Sequence, residues 1–257
     1  MKNRTTLTQT EIRYEKIAVY LAFLCGILIF IHFIIISLLF TWSDWLAILV
    51  FSFLLIAPAY ISNASMVFFG GGKPIDGGKV WKDGRRIFGD HKTWNGLLKG
   101  PIYFGIPISI GIFLLFFILW QFIGPAYQLA IDADLYVLYN SLIYYQYYFI
   151  GGPFPIGLIS LLIRIIICSY STGIGDLIGS FFKRRKDIKS GMPFWIVDQL
   201  DFVIVVLIFI SIPGLIAPGL FWVPDINIII FVLILTPSIT IIGSSVGYYL
   251  GIKDVPW

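Results

Sequence analysis

The sequence predicts an all-α, polytopic membrane protein with about six transmembrane helices and a cytoplasmic loop rich in Gly, Lys and Arg. Of the 257 residues, 58% are hydrophobic and 12% are charged, which is about half the charged share of a soluble domain. The apolar runs are long enough to cross the roughly 30 Å hydrocarbon core of a bilayer as helices. Lys and Arg are confined almost entirely to the segments between these runs, as expected for a membrane protein with a fixed orientation.

Six apolar stretches account for the predicted spans. They lie at residues 17–40, 45–61, 101–123, 154–181, 196–216 and 228–250. The first stretch is longer than the apolar core of a signal peptide and no small-residue cleavage site follows it, so we interpret it as a retained helix.

The spans place the whole chain, residues 1–257, in a single integral membrane domain. Within it we distinguish a helix pair at 17–61, a loop at 62–100, and further helices at 101–257. The last part includes a segment at 175–201 that carries the candidate catalytic carboxylates.

The distribution of cations orients these spans. Every Lys and Arg except Arg164 lies at residues 2–16, 73–99 or 183–189, or is Lys253. An even number of predicted spans separates these segments, so all of them face one side, which the positive-inside rule identifies as the cytoplasm. We therefore expect a cell-membrane protein with its basic segments in the cytoplasm. The Tyr-rich stretch at 136–149 falls on the other side and is predicted to be an interfacial helix rather than a ligand site.

The loop at residues 69–96 is dense in glycines and cations, a composition that can bring backbone amides and basic side chains close to phosphates. It is not a Walker A motif, because His91 and Arg86 stand where that motif requires glycines. A solvated loop that touches anionic lipid heads is the alternative. The carboxylates spaced among the cations, Asp76, Asp83 and Asp90, argue against it. For His91, contact with a phosphate and a role in filling the turn both stay open.

A second polar cluster begins at the end of the fourth predicted span. Asp176 and Ser180 are four residues apart, and Asp198 and Asp201 are three apart, so each pair shares one helical face. A carboxylate within a span is costly unless it meets a partner or lines a wet cavity, which makes Asp176 a functional candidate. The alternative is an Asp that reaches out to the membrane boundary. Two such pairs predict a divalent-cation site, and oxygen ligands without a His or Cys cluster favour Mg²⁺ over zinc.

The remaining polar residues inside apolar runs are interpreted as structural. Arg164 is the one cation within a predicted span and is expected to pair structurally rather than to act in catalysis. His32 is expected to be a packed or interfacial histidine. Cys25 and Cys168 offer neither a disulfide framework nor the paired spacing of a zinc site.

Taken together, these segments resemble the CDP-archaeol synthase family, the CTP:2,3-di-O-geranylgeranylglycerol-1-phosphate cytidylyltransferases. The resemblance is carried by PAYISNA at 58–64, DGRR and GDHKTW within 70–96, GDL and SFFKRR within 175–185, DQLDF at 198–202 and KDVPW at 253–257. Members of the family have five spans, so the run at 17–40 and the Tyr-rich insertion are additions. DQLD is also similar to the signature of bacterial CDP-diacylglycerol synthases, but Gln199 replaces the Arg of that signature. The archaeal branch fits better.

The resemblance implies a membrane nucleotidyltransferase that transfers CMP from CTP to an isoprenoid glycerol ether phosphate and releases pyrophosphate. It implies Mg²⁺ as the cofactor, and CTP, the lipid phosphate and membrane lipids as partners. Nucleic acid is not expected, and a homo-oligomer is left open.

The resemblance also assigns roles to residues at the matching positions. It implies that Asp176, Asp198 and Asp201 bind Mg²⁺, with Ser180 a weaker candidate. The cations implied to bind the triphosphate or the lipid phosphate are Lys92, Arg85, Arg86, Lys183 and Arg184. The residues implied to position the nucleotide or to order its loop are Asn63, Asp76, Asp90 and Thr93.

Other classes of protein explain the sequence less well. An anionic-lipid transporter would need polar residues that continue to the outer face, whereas the cations and carboxylates gather at the cytoplasmic end. A CDP-alcohol phosphatidyltransferase would carry a carboxylate spacing that this sequence lacks, and a purely structural protein explains neither polar cluster. A CDP-diacylglycerol-type synthase that acts on another lipid phosphate is the enzymatic alternative.

Overall fold

The computed structural model describes residues 9–135, 155–188, 191–251, 253, 255 and 256. Its regular elements are the helices α1 Gln9–Leu39, α2 Trp42–Phe68, α3 Trp94–Gly100, α4 Ile106–Ala133, α5 Ile156–Arg185, α6 Val197–Ile216 and α7 Ile226–Tyr249, with a π-helical turn at Pro101–Gly105 that joins α3 to α4. The described residues contain six helices long and apolar enough to cross a membrane. The predicted all-helical, six-span fold is confirmed.

The second helix extends further than the sequence predicted at both ends. Thr41 starts it with a capping box, in which its hydroxyl accepts a hydrogen bond from the Asp44 amide at 3.2 Å and the Asp44 carboxylate accepts one from the Thr41 amide at 2.8 Å. At the other end α2 continues to Phe68 instead of stopping near residue 61, so Asn63 and Met66 lie on its last two turns. These turns are only weakly apolar, so hydropathy did not predict that the helix continues through them.

The third span is one nearly continuous helical run from α3 through the π-helical turn to α4. Pro101 lacks an amide donor, and the Ile106 amide reaches back five residues to its carbonyl, which produces the π turn. α4 then continues to Ala133, about ten residues past the predicted end at 123. The predicted interfacial helix at 136–149 lies outside the described residues.

α2 lies at the centre of the bundle and packs against α1, α4, α5, α6 and α7. Its side chains Phe51, Leu54, Leu55 and Ile56 are fully buried and form the middle of the apolar core. α1 packs mainly against α7 and leaves large apolar residues such as Phe23 exposed. In a bilayer these exposed faces meet lipid, where apolar side chains carry no penalty.

The isolated polar residues within the spans are packed as predicted. His32 is buried, and its ring centroid lies 4.8 Å from that of Phe231. Arg164 is also buried, with its guanidinium 5.6 Å from the centre of the Phe113 ring. Cys25 and Cys168 are buried free thiols.

Candidate active site

The basic loop at residues 69–96 is organised around one buried carboxylate, Asp76. Arg86 donates from Nη2 to Asp76 Oδ1 at 2.8 Å, and the amides of Phe88 and Gly89 both donate to Oδ2 at 3.0 Å. Burial by itself would raise the pKa of Asp76, but the Arg86 guanidinium and these amides hold that pKa well below its usual range. Gly89 adopts φ 108°, a conformation that suits glycine and lets its amide point inward. Of the two roles predicted for Asp76, the structure favours ordering of the loop.

Arg86 links the buried Asp76 carboxylate to the surface of the loop. Its Nη1 donates to Asp90 Oδ1 at 2.7 Å while its other nitrogens hold Asp76. The two carboxylates raise the pKa of Arg86 above its usual value, so the guanidinium stays charged. About a third of its side chain remains accessible, on the side that faces a cavity.

The loop docks on the C-terminal end of α5 although both segments are strongly basic. Arg85 donates to the carbonyl oxygen of Arg185 at 2.5 Å, and Arg185 donates from Nη2 to the carbonyl oxygen of Arg86 at 2.6 Å. Arg185 Nε also pairs with Asp83 at 2.7 Å. Because the Arg185 carbonyl at the helix end, the Arg86 carbonyl in the loop and the Asp83 carboxylate receive these guanidinium groups, the two segments stay together despite their like charge.

A basic cavity of about 480 Å³ lies between the docked loop and α5. The cavity is lined by all five cations that the sequence predicted for phosphate binding, and by a buried hydroxyl. These residues are Arg85, Arg86, Lys92, Lys183, Arg184 and Ser180. Arg184 Nε is buried and has no hydrogen-bond partner among the described residues, a state that costs free energy unless an acceptor arrives. Arg184 therefore has an unused donor in a cavity suited to an anion.

Two lysines that line the basic cavity pair with the predicted carboxylates. Lys92 Nζ lies 2.5 Å from Asp176 Oδ2, which ties the loop to the middle of α5. Lys183 Nζ lies 2.8 Å from Asp198 Oδ2, and the amide of Phe194 donates to the same oxygen at 2.9 Å. The sequence predicted both sets of residues but not this pairing.

A second cavity, of about 540 Å³, adjoins the first and shares Asp90, His91 and Lys92 with it. It reaches the membrane-spanning helices α2 and α5, and its lining contains both polar and apolar residues. They are Asn63, Thr93 and Asp176, and Met66, Leu97 and Leu177. The Thr93 hydroxyl accepts the Gly96 amide at 3.2 Å and so caps α3. The mixed polar and apolar lining suits an amphipathic ligand.

Asp201 lies on α6, packed against α5 where the two helices approach most closely. A Cβ atom on Gly175 would overlap the Phe202 backbone, and one on Gly179 would overlap the Asp201 carboxylate. Small residues four apart are typical of close helix packing in membranes. Asp176, Asp198 and Lys92 lie near enough to Asp201 for their charges to act on it, so the three predicted carboxylates lie in one region of the structure.

These carboxylates do not form a protein-only metal cage. Across the described part of the chain, no three His, Cys, Asp or Glu side chains are gathered closely enough to hold a metal ion. Mg²⁺ is commonly bound by one or two carboxylates together with substrate phosphates and water. The donor chemistry of Asp176, Asp198 and Asp201 therefore suits Mg²⁺ that is also held by phosphates.

Sequence reasoning missed several residues that build the site. Arg185 was not singled out within its basic run, although it makes the main contacts between loop and helix. Asp83 was noted only as a carboxylate in the loop, and it is the partner of Arg185. The spacing of Gly175 and Gly179 is visible in the sequence and could have indicated the close approach of α5 to its neighbour.

Comparisons with known proteins agree on one family. A family model described as CarS-like CDP-archaeol synthase matches residues 45–126 and 136–257, a range that begins after α1. A CDP-archaeol synthase of Thermococcus onnurineus is 36% identical over 212 residues, which cover 82% of this chain and 99% of the relative. One of Methanococcus aeolicus is 37% identical over 207 residues, covering 80% and 95%.

One solved structure is also similar to this chain. It is described as an intramembrane enzyme for archaeal membrane lipids biosynthesis. It is 28% identical, with a TM-score of 0.43, and the match covers 72% of this chain and 86% of that chain.

Proposed function

This chain belongs to the CDP-archaeol synthase family, and we propose that its reaction takes place where the basic loop meets α5 and α6. The chain is a membrane-embedded, CTP-dependent nucleotidyltransferase that transfers CMP to an isoprenoid glycerol ether phosphate and forms CDP-archaeol. The contact between Lys92 and Asp176 carries the assignment of the site, because it joins the phosphate-binding loop to a membrane span at the border of two cavities.

The two cavities suit the two substrates. The basic cavity has the cations needed for a triphosphate. The second cavity opens towards the spans, where the phosphate of a lipid can approach while its chains stay in the bilayer. Lys92 lies on the wall common to both cavities. We therefore assign CTP to the first cavity and the lipid phosphate to the second.

The reaction needs no protein nucleophile. An oxygen of the lipid phosphate attacks the α-phosphorus of CTP, the bond from that phosphorus to the bridging oxygen of the β-phosphate breaks, and pyrophosphate leaves with the bonding electrons. Catalysis of this kind comes mainly from positioning and from stabilisation of charge. Lys92 has three donors, so it can keep Asp176 and still donate to the phosphate oxygens on either side.

The other cations stabilise the negative charge that develops on the leaving pyrophosphate. Lys183 and Arg184 extend from the end of α5 into the basic cavity, and Arg86 faces them from the loop. Preorganised donors of this kind stabilise charge in the transition state without reorganising during the reaction. We assign the pyrophosphate end of CTP to these three residues.

We assign Mg²⁺ to one or two carboxylates of the set Asp176, Asp198 and Asp201 together with the CTP phosphates, because carboxylate and phosphate oxygens are its preferred ligands. When bound, Mg²⁺ would shield the phosphates and stabilise the leaving pyrophosphate. Lys92 and Lys183 neutralise two of these carboxylates, which limits the repulsion that three acids would otherwise impose on one another and on CTP.

In this proposal the active site lies on the cytoplasmic side of the cell membrane. The support is the one-sided distribution of Lys and Arg, together with the supply of CTP in the cytoplasm. The loop, the end of α5 and the start of α1 meet at one end of the bundle, which agrees with this orientation.

The decisive experiment uses purified protein, radiolabelled CTP and Mg²⁺. One reaction contains a geranylgeranyl glycerol ether phosphate and a parallel one contains a phosphatidic acid of similar chain length. We expect a labelled CDP-lipid from the ether substrate and equimolar pyrophosphate. Product only with phosphatidic acid would favour the CDP-diacylglycerol-type alternative, and no product with either lipid would contradict the proposal.

A further inference from the structure

A third cavity, of about 650 Å³, lies between the start of α1 and the segment that connects α5 to α6. We call residues 186–196 the connector. The side chains of Arg13, Tyr14 and Ile17 form the α1 wall, and the opposite wall comes from the described residues of the connector. α1 ends before the family match begins, so this cavity depends on a helix that the family match does not include.

Among the described residues that line the cavity, one cation is available for a ligand. Arg13 is exposed where it lines the cavity, and its guanidinium forms no hydrogen bond or ion pair with another described residue. The one carboxylate that lines the cavity, Asp187, is turned largely to solvent and lies 4.0 Å from Arg85. Lys16 is also exposed, one turn along α1. Arg13 therefore offers a charged donor to an anion that enters the cavity.

The rest of the lining is typical of the membrane boundary. Tyr14 and Trp195 pack edge to face, with ring centroids 6.0 Å apart, and such amphipathic rings are enriched at the boundary between lipid and water. Apolar side chains complete the walls, namely Ile17, Ile188, Met192 and Pro193. The first apolar span begins at Ile12, so Arg13 lies at the boundary itself. A small soluble anion gains no binding energy from contact with these apolar walls.

We propose that this cavity binds the phosphate headgroup of an anionic bilayer lipid, with Arg13 on the phosphate and the glycerol region against Tyr14, Trp195 and Ile17. Cationic side chains near a membrane surface attract anionic lipids, and the cavity volume is within the range of sites for small ligands. This lipid is an accessory ligand and not the substrate, because the family match leaves out α1.

The accessory site adjoins the proposed CTP cavity. Asp187 and Ile188 line both cavities. The connector is also conformationally strained, since Ile196 has φ 64° immediately before α6, a value that a β-branched residue rarely adopts. The Phe194 amide on the same connector holds Asp198. A lipid packed on Trp195 thus supports the segment that positions one of the candidate metal ligands.

The test measures lipid binding to the full-length protein in detergent without CTP, so its result does not depend on the proposed reaction. Native mass spectrometry would follow titrations with dioleoyl phosphatidylglycerol, with dioleoyl phosphatidylcholine and with glycerol phosphate. We expect preferential binding of phosphatidylglycerol, little binding of glycerol phosphate, and about tenfold weaker phosphatidylglycerol binding in Arg13→Gln, as expected for loss of one charge-assisted contact. Arg13→Lys should retain much of the affinity.

Lys16→Gln is the matched control, because it removes the same charge from the same helix end outside the cavity. It should bind phosphatidylglycerol within about twofold of the wild-type protein. Equal binding of the two phospholipids would overturn the proposal, as would equal losses in Arg13→Gln and Lys16→Gln. Tight binding of glycerol phosphate would instead indicate a site for a soluble anion. Circular dichroism checks that each variant keeps its helical content.

Discussion

The carboxylate of Asp201 lies directly against the Cα atom of Gly179, in space that any side chain at position 179 would occupy. The contact places a carboxyl group of α6 beside the backbone of α5. Glycine at this position is thus required by the location of the carboxylate and not by backbone conformation, since Gly179 is helical.

The first prediction follows from this contact. In Gly179→Ala the added methyl group displaces the Asp201 side chain, because a side chain yields more easily than a helix backbone. We expect normal insertion and a turnover about two orders of magnitude lower, as is typical when a reacting group is misplaced by about 1 Å. Turnover and thermal stability would be measured in parallel.

Gly243→Ala is the control, since nothing lies within 4 Å of a Cβ atom at that helical position. It should behave like the wild-type protein. Gly175→Ala should differ from both, because its methyl group meets the Phe202 backbone and must separate the helices. Full activity in Gly179→Ala would show that the position of Asp201 does not matter for the reaction.

The second prediction concerns the metal. Asp198→Asn and Asp201→Asn keep the side-chain volume and remove a charge that Mg²⁺ would need. Each variant should lower Mg²⁺-dependent turnover roughly 100-fold, within the range seen when electrostatic stabilisation is removed from an active site. Asp132→Asn, an exposed residue bonded to Gln128, is the matched control. Near-normal activity over a Mg²⁺ titration would remove the substituted residue from the proposed ligand set.

The third prediction concerns Asp76 and the stability of the loop. Its folded-state pKa is below the ordinary value of 3.8, so its contribution is complete above that pH and is lost only as the pH falls through the lower folded value. The loop should therefore resist proteolysis equally at pH 5 and pH 8. Asp76→Asn should increase cleavage at both pH values, whereas Lys79→Gln, an exposed change in the same loop, should not. Loss of resistance in wild-type protein between pH 8 and 5 would contradict this assignment.

The fourth prediction is topological. Single cysteines at positions 82 and 186 should react with a membrane-impermeant reagent from the cytoplasmic side, and those at 132 and 225 from the outside. Background labelling of the native Cys25 and Cys168 should be low because both thiols are buried. Labelling of positions 82 and 186 from opposite sides would contradict both the topology and the shared site, because Arg85 contacts the end of α5 directly.

The sequence was sufficient to predict the spans and to name candidate site residues, but not to predict which residues contact one another. Hydropathy identifies a span because a helix surrounded by lipid needs a long run of apolar residues. It does not detect the last turns of α2, where Asn63 lies in a less apolar stretch. The pairing of Lys92 with Asp176 joins residues 84 positions apart and depends on how the loop packs. Asp76 illustrates the same limit, because its buried position in the loop becomes visible only when the loop is folded.

The last prediction tests whether the two basic segments act on CTP. Lys92 and Arg184 come from the loop and from α5, and both line the basic cavity. If the cavity binds the triphosphate, Lys92→Gln and Arg184→Gln should each lower kcat/KM for CTP by about tenfold or more, since a contact between charged groups contributes about 1.5–3 kcal/mol.

Lys99→Gln is the control, because Lys99 is an exposed cation at the end of α3 that does not line this cavity. It removes the same charge from the same side of the membrane and should change kcat/KM by less than about twofold, as expected for an exposed, screened charge. If the three variants lose activity equally, the basic segments act only through the general attraction of anions to a positive surface. A selective loss in Lys92→Gln and Arg184→Gln requires direct contact, because the net charge is the same in all three proteins.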